Sequence, residues 1–333
     1  MSAMAPGFPR LLGDVGGTNA RWAWQAHPQA AFEHVRVLAC GNFEAIDACI
    51  AHYLRSEGLG PPRAAAFGIA TPVLDDTVAM TNHAWQFSIA ALQRSLGVER
   101  LRVLNDFEAL ALALPALMPG DLCQVGGGAA VAGANLAVLG AGTGLGVAGL
   151  VADGHGGWNA VVGEGGHATL AAATTREAAV LAVLRERFGH VSAERALSGP
   201  GLVNLYGAVC VLDGVAAQPL DPAEVLARGL GEGGLHCPQC AEALCCFAAL
   251  LGSTAGNLAL TLGARGGVYI GGGIAPRLGR HLESLPFRAR FEDKGRFRRY
   301  LAAIPSWIVT APAPALLGAA RALDEPRPRL HPS

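Results

Sequence analysis

GDVGGTNAR, Gly13 to Arg21, and LGAGTGLGVAG, Leu139 to Gly149, decide how this chain is read. Each follows an apolar run and reads as a strand, a bare turn and a returning strand. Small residues in the turn remove the side chains that would hold a phosphate away from the backbone. Consecutive N–H groups then form an anion-binding concavity, and Thr18 and Thr143 each add a hydroxyl donor. One such loop is weak evidence. Two, a domain's length apart and followed by GGVYIGGGIAPR (Gly266 to Arg277), predict two domains holding one nucleotide between them.

The 333 residues allow one large or two ordinary domains. With 51% of residues hydrophobic but only 6% aromatic, the cores must be built from Ala, Leu, Val and Gly. A net charge of -1 argues against a dominant nucleic-acid or anionic-membrane surface. Lys294 is the sole lysine among 25 Lys and Arg residues, so neither glycine loop is a Walker A motif, which requires GxxxxGK[ST]. A GxGxxG string at Gly144, Gly146 and Gly149 runs into an apolar strand rather than opening a helix, which disfavours a Rossmann dinucleotide site.

The 8 cysteines are scattered, and Met1 to Pro9 has neither a charged start nor a long apolar stretch. Free thiols in a reducing cytosol are expected. His236, Cys237, Cys240, Cys245 and Cys246 form the one cluster, but the second half of a zinc spacing is missing, so buried or incidental thiols are expected there. Two uncharged runs reach membrane-spanning length, Ala129 to Ala152 and Ala243 to Ala264. The first reads as strand–turn–strand. The second carries Ser253, Thr254 and Asn257 and reads as a buried core helix.

Between these motifs the pattern is α/β, and hairpins beside both glycine loops make the sheets mixed. Leu11 to Asp14 reads as a strand with Arg21 to Gln25 as its partner; Phe43 to Leu54 is helical, and Ala64 to Ala70 and Val78 to Thr81 are strands. Ser88 is placed to cap IAALQRSL and Gly97 to stop it. Leu101 to Leu104 is a buried strand ending at Asn105-Asp106, and a helix runs from Phe107 to Leu114. The Pro/Gly-rich stretch from Pro115 to Gly128 predicts a boundary. A small domain of 1–116 plus about 311–333 and a large domain of 117–310 follow from it, with a helix from Pro314 to Leu323 returning to the first. In the large domain Asn135 to Leu139 and Gly146 to Val151 flank the second loop. Ala178 to Phe188, Pro200 to about Leu212, and Glu242 to Leu262 are helices, Val268 to Ile270 and Trp307 to Thr310 strands, and Ser192 is placed to cap the turn holding Glu194. Gly214 to Gly234 shows no pattern, and the tail beyond Asp324 is expected to be disordered.

Asp106 is the strongest candidate for chemistry. A carboxylate at the C-terminal end of a buried strand points into the region where open α/β sheets bind ligands. Phosphoryl transfer to an alcohol needs a base aimed at the hydroxyl proton. The residue equally fits a cap on the helix that follows, and the two roles are compatible. Glu164 and His167, in the bare loop VVGEGGHATL, set an acceptor and a switchable donor close together, as adjacent hydroxyls of a polyol require; a surface turn with an incidental histidine fits the same residues. Glu194 stands near a helix start, where the helix dipole already favours an acid. Asn105 reads as a hydroxyl ligand or as a strand-end turn residue. Asp14, directly before the first loop, reads as holding a water on Mg²⁺ or as satisfying loop amides, since Mg²⁺ takes few carboxylates plus phosphates.

GDVGGTNAR, MTNHAWQFS, VLNDFEALA, LGAGTGLGVA, GEGGH, GHVSAERALSGPGLVNLY, GGVYIGGGIAPR and FEDKGRF, in this order, closely resemble the bacterial glucokinase family, ATP-dependent hexose kinases of the actin-like ATPase superfamily. The resemblance runs from about Leu11 to Ala320. It implies two α/β domains of ribonuclease H-like fold with mixed sheets, an active site in the interdomain cleft, and a homodimer. Matched residue by residue, Asn105 and Asp106 fall on the family's sugar-binding Asn and catalytic base, Glu164 and His167 on its glucose-contacting pair, and Glu194 on the glutamate of SAER. Gly13, Asp14, Val15, Gly16, Gly17 and Thr18 match the first phosphate loop, and Gly142, Thr143 and Gly144 the second. Gly271, Gly272 and Gly273 fall where the adenosine is held. Nothing like the CxCGxxGC zinc motif of the repressor/kinase (ROK) sugar kinases follows GEGGH, which points to the non-ROK branch.

The activity so implied is transfer of the γ-phosphoryl group of ATP, with Mg²⁺, to the 6-hydroxyl of D-glucose, the entry step of glycolysis in the cytoplasm. Asp106 takes the proton, and Asn105, Asp106, Glu164, His167 and Glu194 pair with the hydroxyls. The nearest alternative is a kinase for mannose, fructose or an amino sugar. A sugar-sensing regulator on the same fold needs a basic DNA-reading segment, and the chain is not basic. A nucleotide-driven chaperone or filament subunit has no use for the GEGGH loop or a base at Asp106.

Overall fold

In the computed structural model, which describes residues 7–81 and 83–324, the strand expected at Leu11 to Asp14 extends over Arg10–Val15 (β1). The tail beyond Asp324 and Asn82 of the MTNHAWQFS motif lie outside the described residues. The chain divides into two units, Met1–Leu117 with Ala311–Ser333, and Met118–Thr310.

In the first unit β1 is followed by β2 (Asn19–Gln25), β3 (Glu33–Ala39), α1 (Ile46–Ser56) and β4 (Ala64–Ile69). A short hairpin of β5 (Thr77–Ala79) and β6 (Gln86–Ser88) leads to α2 (Ile89–Leu96), β7 (Arg100–Asn105) and α3 (Asp106–Ala113). The main sheet has the order β3-β2-β1-β4-β7. Alternation along β1 decides its two faces: Leu11 and Val15 join a core with Trp22, Tyr53, Phe67 and Ile69, while Leu12 joins another with Ala23, Ala64 and Ala66. Ser88 caps α2 by accepting from Ala91 N–H at 3.0 Å, and Gly97 stops it in the left-handed region, as the sequence indicates. The first helix begins at Ile46 rather than Phe43, because Cys40–Asn42 form a 3-10 turn and Phe43 is extended. β3 is an edge strand whose Val35 and Val37 are exposed, so no buried face marks it in the sequence.

The second unit contains β8 (Leu122–Val125), β9 (Leu136–Ala141), β10 (Leu145–Ala152), β11 (Trp158–Gly163), α4 (Thr175–Phe188), α5 (Gly199–Asp213), α6 (Pro222–Leu230) and α7 (Pro238–Leu262). It continues through β12 (Val268–Gly271), α8 (Ile274–Leu278), α9 (His281–Ser284), α10 (Phe287–Glu292), α11 (Arg298–Ala302) and β13 (Ser306–Val309). Its sheet order is β11-β10-β9-β12-β13-β8. Without β8 this repeats the first unit strand for strand: an antiparallel meander (β9, β10, β11) continued by parallel β12 and β13 answers β1, β2, β3 continued by parallel β4 and β7. That repeated pattern is the ribonuclease H-like α/β fold with mixed sheets.

The stretch from Gly214 to Gly234 holds α6, started by a capping box in which Asp221 accepts from Glu224 N–H and Glu224 from Asp221 N–H, each at 2.8 Å. The cysteine cluster resolves the same way. Cys237 is the N-cap of α7, its Sγ accepting from Cys240 N–H at 3.4 Å, and Cys240 is buried. Among the described residues no group of three or more His, Cys, Asp and Glu could hold a metal ion. The helix α7 is long and apolar enough to cross a membrane, but 67% of its most apolar window is buried within the protein, where it packs on α5, α6 and α10.

The C-terminal helix, α12 (Pro314–Asp324), belongs to the first unit. Its Leu316, Ala319, Ala320 and Leu323 cover Leu12, Ala23, Ala64 and Ala66 of the sheet. Arg100 binds its last turn, donating to Leu323 O at 2.9 Å and Ala322 O at 3.0 Å. Gly318 packs directly on the Ala109 carbonyl of α3, leaving no room for a methyl group. Gly318→Ala should therefore push α12 off α3 and cost about 1–3 kcal/mol. Chemical denaturation of the full chain checks this, and an unchanged stability would contradict it.

Candidate active site

The first glycine loop joins β1 to β2, with Val15 paired to Ala20 and Gly16 N–H donating to Asn19 O at 2.9 Å. Gly16 and Gly17 are partly exposed and Thr18 exposed, so the turn presents its backbone to solvent. Thr18 O accepts from Cys40 N–H at 2.8 Å, which ties the turn to the end of β3. Gly13 and Val15 have a different place. Both are buried strand residues, and a side chain at Gly13 would meet the Trp22 ring at 2.5 Å and Phe67 Cβ at 2.7 Å. The bareness of Gly13 serves the core, where Trp22 and Phe67 meet edge to face at 5.7 Å; the exposed part of the loop is Gly16 to Thr18.

Asp14 lies on the opposite side of β1 from that core. Its Oδ2 accepts from Arg21 Nη1 at 3.2 Å, a pair with both side chains about one-third exposed (30% and 34%). Burial raises the Asp14 carboxyl above the ordinary aspartate range, and the Arg21 charge and hydrogen bond oppose the rise only in part.

Strand register carries the first loop to Asn105 and Asp106. Val15 pairs in parallel with Ile69, and Ile69 with Asn105. The loop and Asn105 thus stand at the same C-terminal edge of three parallel strands, roughly 10 Å apart at the usual strand spacing. The cap on α3 is Asn105, not Asp106: its Oδ1 accepts from Phe107 N–H at 2.9 Å, and its Nδ2 donates to Thr71 O at 3.3 Å. Asp106 is the first residue of the helix, with Oδ1 2.9 Å from the same Phe107 N–H. Gly68 of β4 makes room for this start, since a Cβ there would lie 3.4 Å from Asp106 Cα and 3.0 Å from Ala109 Cβ.

The second loop, Gly142 to Gly144, joins β9 to β10, with Ala141 paired to Leu145 and Thr143 exposed at the tip. Gly271, Gly272, the GEGGH turn and Glu194 each touch this loop or the strands that carry it. Gly271 pairs with Gly140 at the matching end of parallel strands β9 and β12. A Cβ on Gly140 would meet Gly271 C at 2.5 Å, and one on Gly272, at φ +79°, would collide with Ala141 O. Gly272 and Gly273 are exposed just beyond. In GEGGH, Gly165–His167 form a 3-10 turn whose Gly166 rests on the Leu145 carbonyl. Glu164 Oε2 and His167 Nε2 lie 4.0 Å apart, each side chain more than half exposed.

Glu194 sits in a 3-10 turn, Ala193–Arg195, at whose N-cap Ser192 makes no side-chain bond; the expected Ser192 cap is absent, and its side chain is buried instead. The turn is held by Ala193 N–H to Ala168 O at 2.9 Å, directly after GEGGH. The Glu194 carboxylate turns to the second loop, where Oε2 accepts from Leu145 N–H at 2.9 Å and fills the space a side chain at Gly144 would need. Gly199 N–H donates to Gly142 O at 2.8 Å. Sequence reading overlooks both bonds. They join residues roughly fifty positions apart, and only the glycine at 144 hints at a close neighbour.

The glucokinase family model matches residues 11–326. A glucokinase from Aromatoleum aromaticum is 54% identical over 318 residues, covering 95% of this chain and 95% of that protein. The crystal structure of a glucokinase from an Antarctic psychrotroph superposes with a TM-score of 0.86 at 36% identity, over 95% of this chain and 98% of that one. A ROK-family glucokinase from Streptomyces griseus shares the fold, with a TM-score of 0.61 at 19% identity over 94% and 98% of the two chains.

The setting of Asp14 makes a titration testable. Carbon-13 NMR should place its carboxyl midpoint above that of an exposed aspartate. Arg21→Met should move it higher still, because burial then acts without the opposing guanidinium. A midpoint at or below the exposed value in the parent protein would contradict the burial argument.

Proposed function

The chain belongs to the glucokinase family, and from that premise we propose how its residues divide the work of transferring the γ-phosphoryl group of ATP to the 6-hydroxyl of D-glucose. It is an ATP-dependent hexose kinase. The Streptomyces griseus relative is known in complex with glucose and the ATP analogue AMPPNP, the same pairing of ligands.

Asp106 accepts the proton of the 6-hydroxyl as the bond to phosphorus forms. The observation that carries this reading is the register of β1, β4 and β7, which sets the first glycine turn and Asp106 at one edge of the same sheet. Asn105 fixes the backbone at that point through Thr71 O and Phe107 N–H, and its amide nitrogen retains a second hydrogen for a sugar hydroxyl. Glu164, His167 and Glu194 take the remaining hydroxyls. The turn amides of Gly16 to Thr18 and Gly142 to Gly144 receive phosphate oxygens, and Gly271 to Gly273 lie against the adenosine, where a flat ligand needs bare backbone.

Mg²⁺ accompanies the nucleotide in this reading. A partly buried carboxylate beside a glycine turn fits it: Arg21 pairs with one oxygen of Asp14, and the other would be open to a metal-bound water. When bound, the ion spreads the charge on the phosphates. We extend the same reading to a cytoplasmic homodimer that supplies glucose 6-phosphate to glycolysis; the eight free cysteines suit a reducing compartment.

Titration with glucose, mannose, fructose and glucosamine at saturating ATP and Mg²⁺, following sugar phosphate and ADP together, tests the reading. Glucose should give the highest kcat/KM. Asp106→Asn should bind glucose with modest loss yet turn over at least about 100-fold more slowly. Turnover near the parent rate would remove Asp106 as the base.

A further inference from the structure

The segment that carries Glu194 grips the second glycine loop at both ends. Gly199 N–H holds Gly142 O at 2.8 Å where the loop begins, and Glu194 Oε2 holds Leu145 N–H at 2.9 Å where it ends. Between the two bonds lie Thr143 and Gly144, the tip of the turn. The grip is itself braced. Ser198 Oγ donates to Glu194 O at 2.9 Å and accepts from Gly201 N–H at 3.0 Å, so the turn of Glu194 and the start of α5 move together. Ala193 is tied to Ala168, and Gly166 rests on the Leu145 carbonyl. Leu145 is therefore held on its N–H side by a carboxylate and on its C=O side by the GEGGH turn.

A carboxylate spent wholly on a backbone amide is a structural brace. Glu194 is partly exposed, however, and has a second oxygen. We propose that Glu194 is a positioning residue, its carboxylate shared between the second phosphate loop and a sugar hydroxyl, so that occupancy of one sets the geometry of the other. This rests on the reading of Glu194 as a sugar ligand and of Gly142 to Gly144 as a phosphate loop. The sugar fixes the carboxylate from one side and thereby the Leu145 amide and the turn that precedes it. Nucleotide phosphates on the turn fix the carboxylate in return. Linkage makes the effect reciprocal: glucose raises nucleotide affinity by the factor by which nucleotide raises glucose affinity. Gly144 belongs to the device, because any side chain there would displace Glu194 Oε2.

Calorimetric titration of the full chain with ADP and Mg²⁺, without sugar and then with saturating glucose, is the test, run on the parent, Glu194→Ala, Glu194→Asp and Glu194→Gln. Without sugar, Glu194→Ala and Glu194→Asp should bind ADP at least about 5-fold more weakly than the parent. Each loses the reach to Leu145 N–H, and Glu194→Asp keeps the charge. Glu194→Gln keeps an acceptor at that position, so its ADP affinity should stay within about 2-fold of the parent while its glucose affinity falls. The enhancement of ADP binding by glucose should fall toward 1 in the Ala and Asp variants. Parental ADP affinity in Glu194→Ala and Glu194→Asp would overturn the proposal and leave Glu194 a sugar ligand alone. A parent that binds ADP but phosphorylates no hexose would instead overturn the functional reading, and the sugar-free ADP titrations would still decide whether Glu194 holds the loop.

Discussion

Backbone contact closer than a methyl group allows is the constraint on which this structure depends. Around the second loop, Gly140 lies against Gly271, Gly272 against Ala141, Gly166 against the Leu145 carbonyl and Gly144 against the Glu194 carboxylate. In the first unit, Gly68 and Gly318 let β4 and α12 approach α3, the helix that begins with Asp106. Each contact removes a side chain and brings a polar backbone group within reach of a neighbour or a ligand. The cost in chain entropy is real. It is offset where the contact locks a turn whose amides must stay exposed.

The two units apply one strand plan to different ends. In both, a bare turn joins the first two strands of a meander, and parallel strands continue the sheet. In the first unit the outer parallel strand, β7, ends in Asn105 and opens the helix with Asp106. In the second unit the adjacent parallel strand, β12, ends in a run of glycines instead. The two copies of the plan thus end differently, one in an amide and a carboxylate and the other in bare backbone. Glu164, His167 and Glu194 lie in insertions of the second copy, between β11 and α5, where the strand plan does not constrain them.

What the sequence made legible was local. Ser88 and Gly97 mark the ends of α2 because capping is decided within four residues, and both glycine turns lie where the hairpin pattern puts them. The capping box at Asp221 and Glu224 carries the same kind of signal and goes unread in a Gly- and Ala-rich stretch. The edge strands β3 and β11 leave little trace, since their stability comes from ladder bonds to one neighbour rather than from a buried face. Site residues are legible as types but not as contacts. Gly13 reads as a phosphate-loop glycine, and nothing local shows that Trp22 and Phe67 also press against it. Glu194 reads as a helix-start acid until tertiary folding brings Leu145 N–H to its carboxylate.

The proposed function assigns phosphate binding to bare backbone at two turns and proton acceptance to a carboxylate at the end of a parallel strand. A crystal structure of this protein with glucose and a non-hydrolysable ATP analogue tests it most directly. Phosphate oxygens should lie within hydrogen-bond distance of the Gly16 to Thr18 and Gly142 to Gly144 amides, and an Asp106 oxygen at hydrogen-bond distance from the glucose 6-hydroxyl. Phosphates bound away from both turns, or a 6-hydroxyl paired with another residue while Asp106 faces elsewhere, would contradict it.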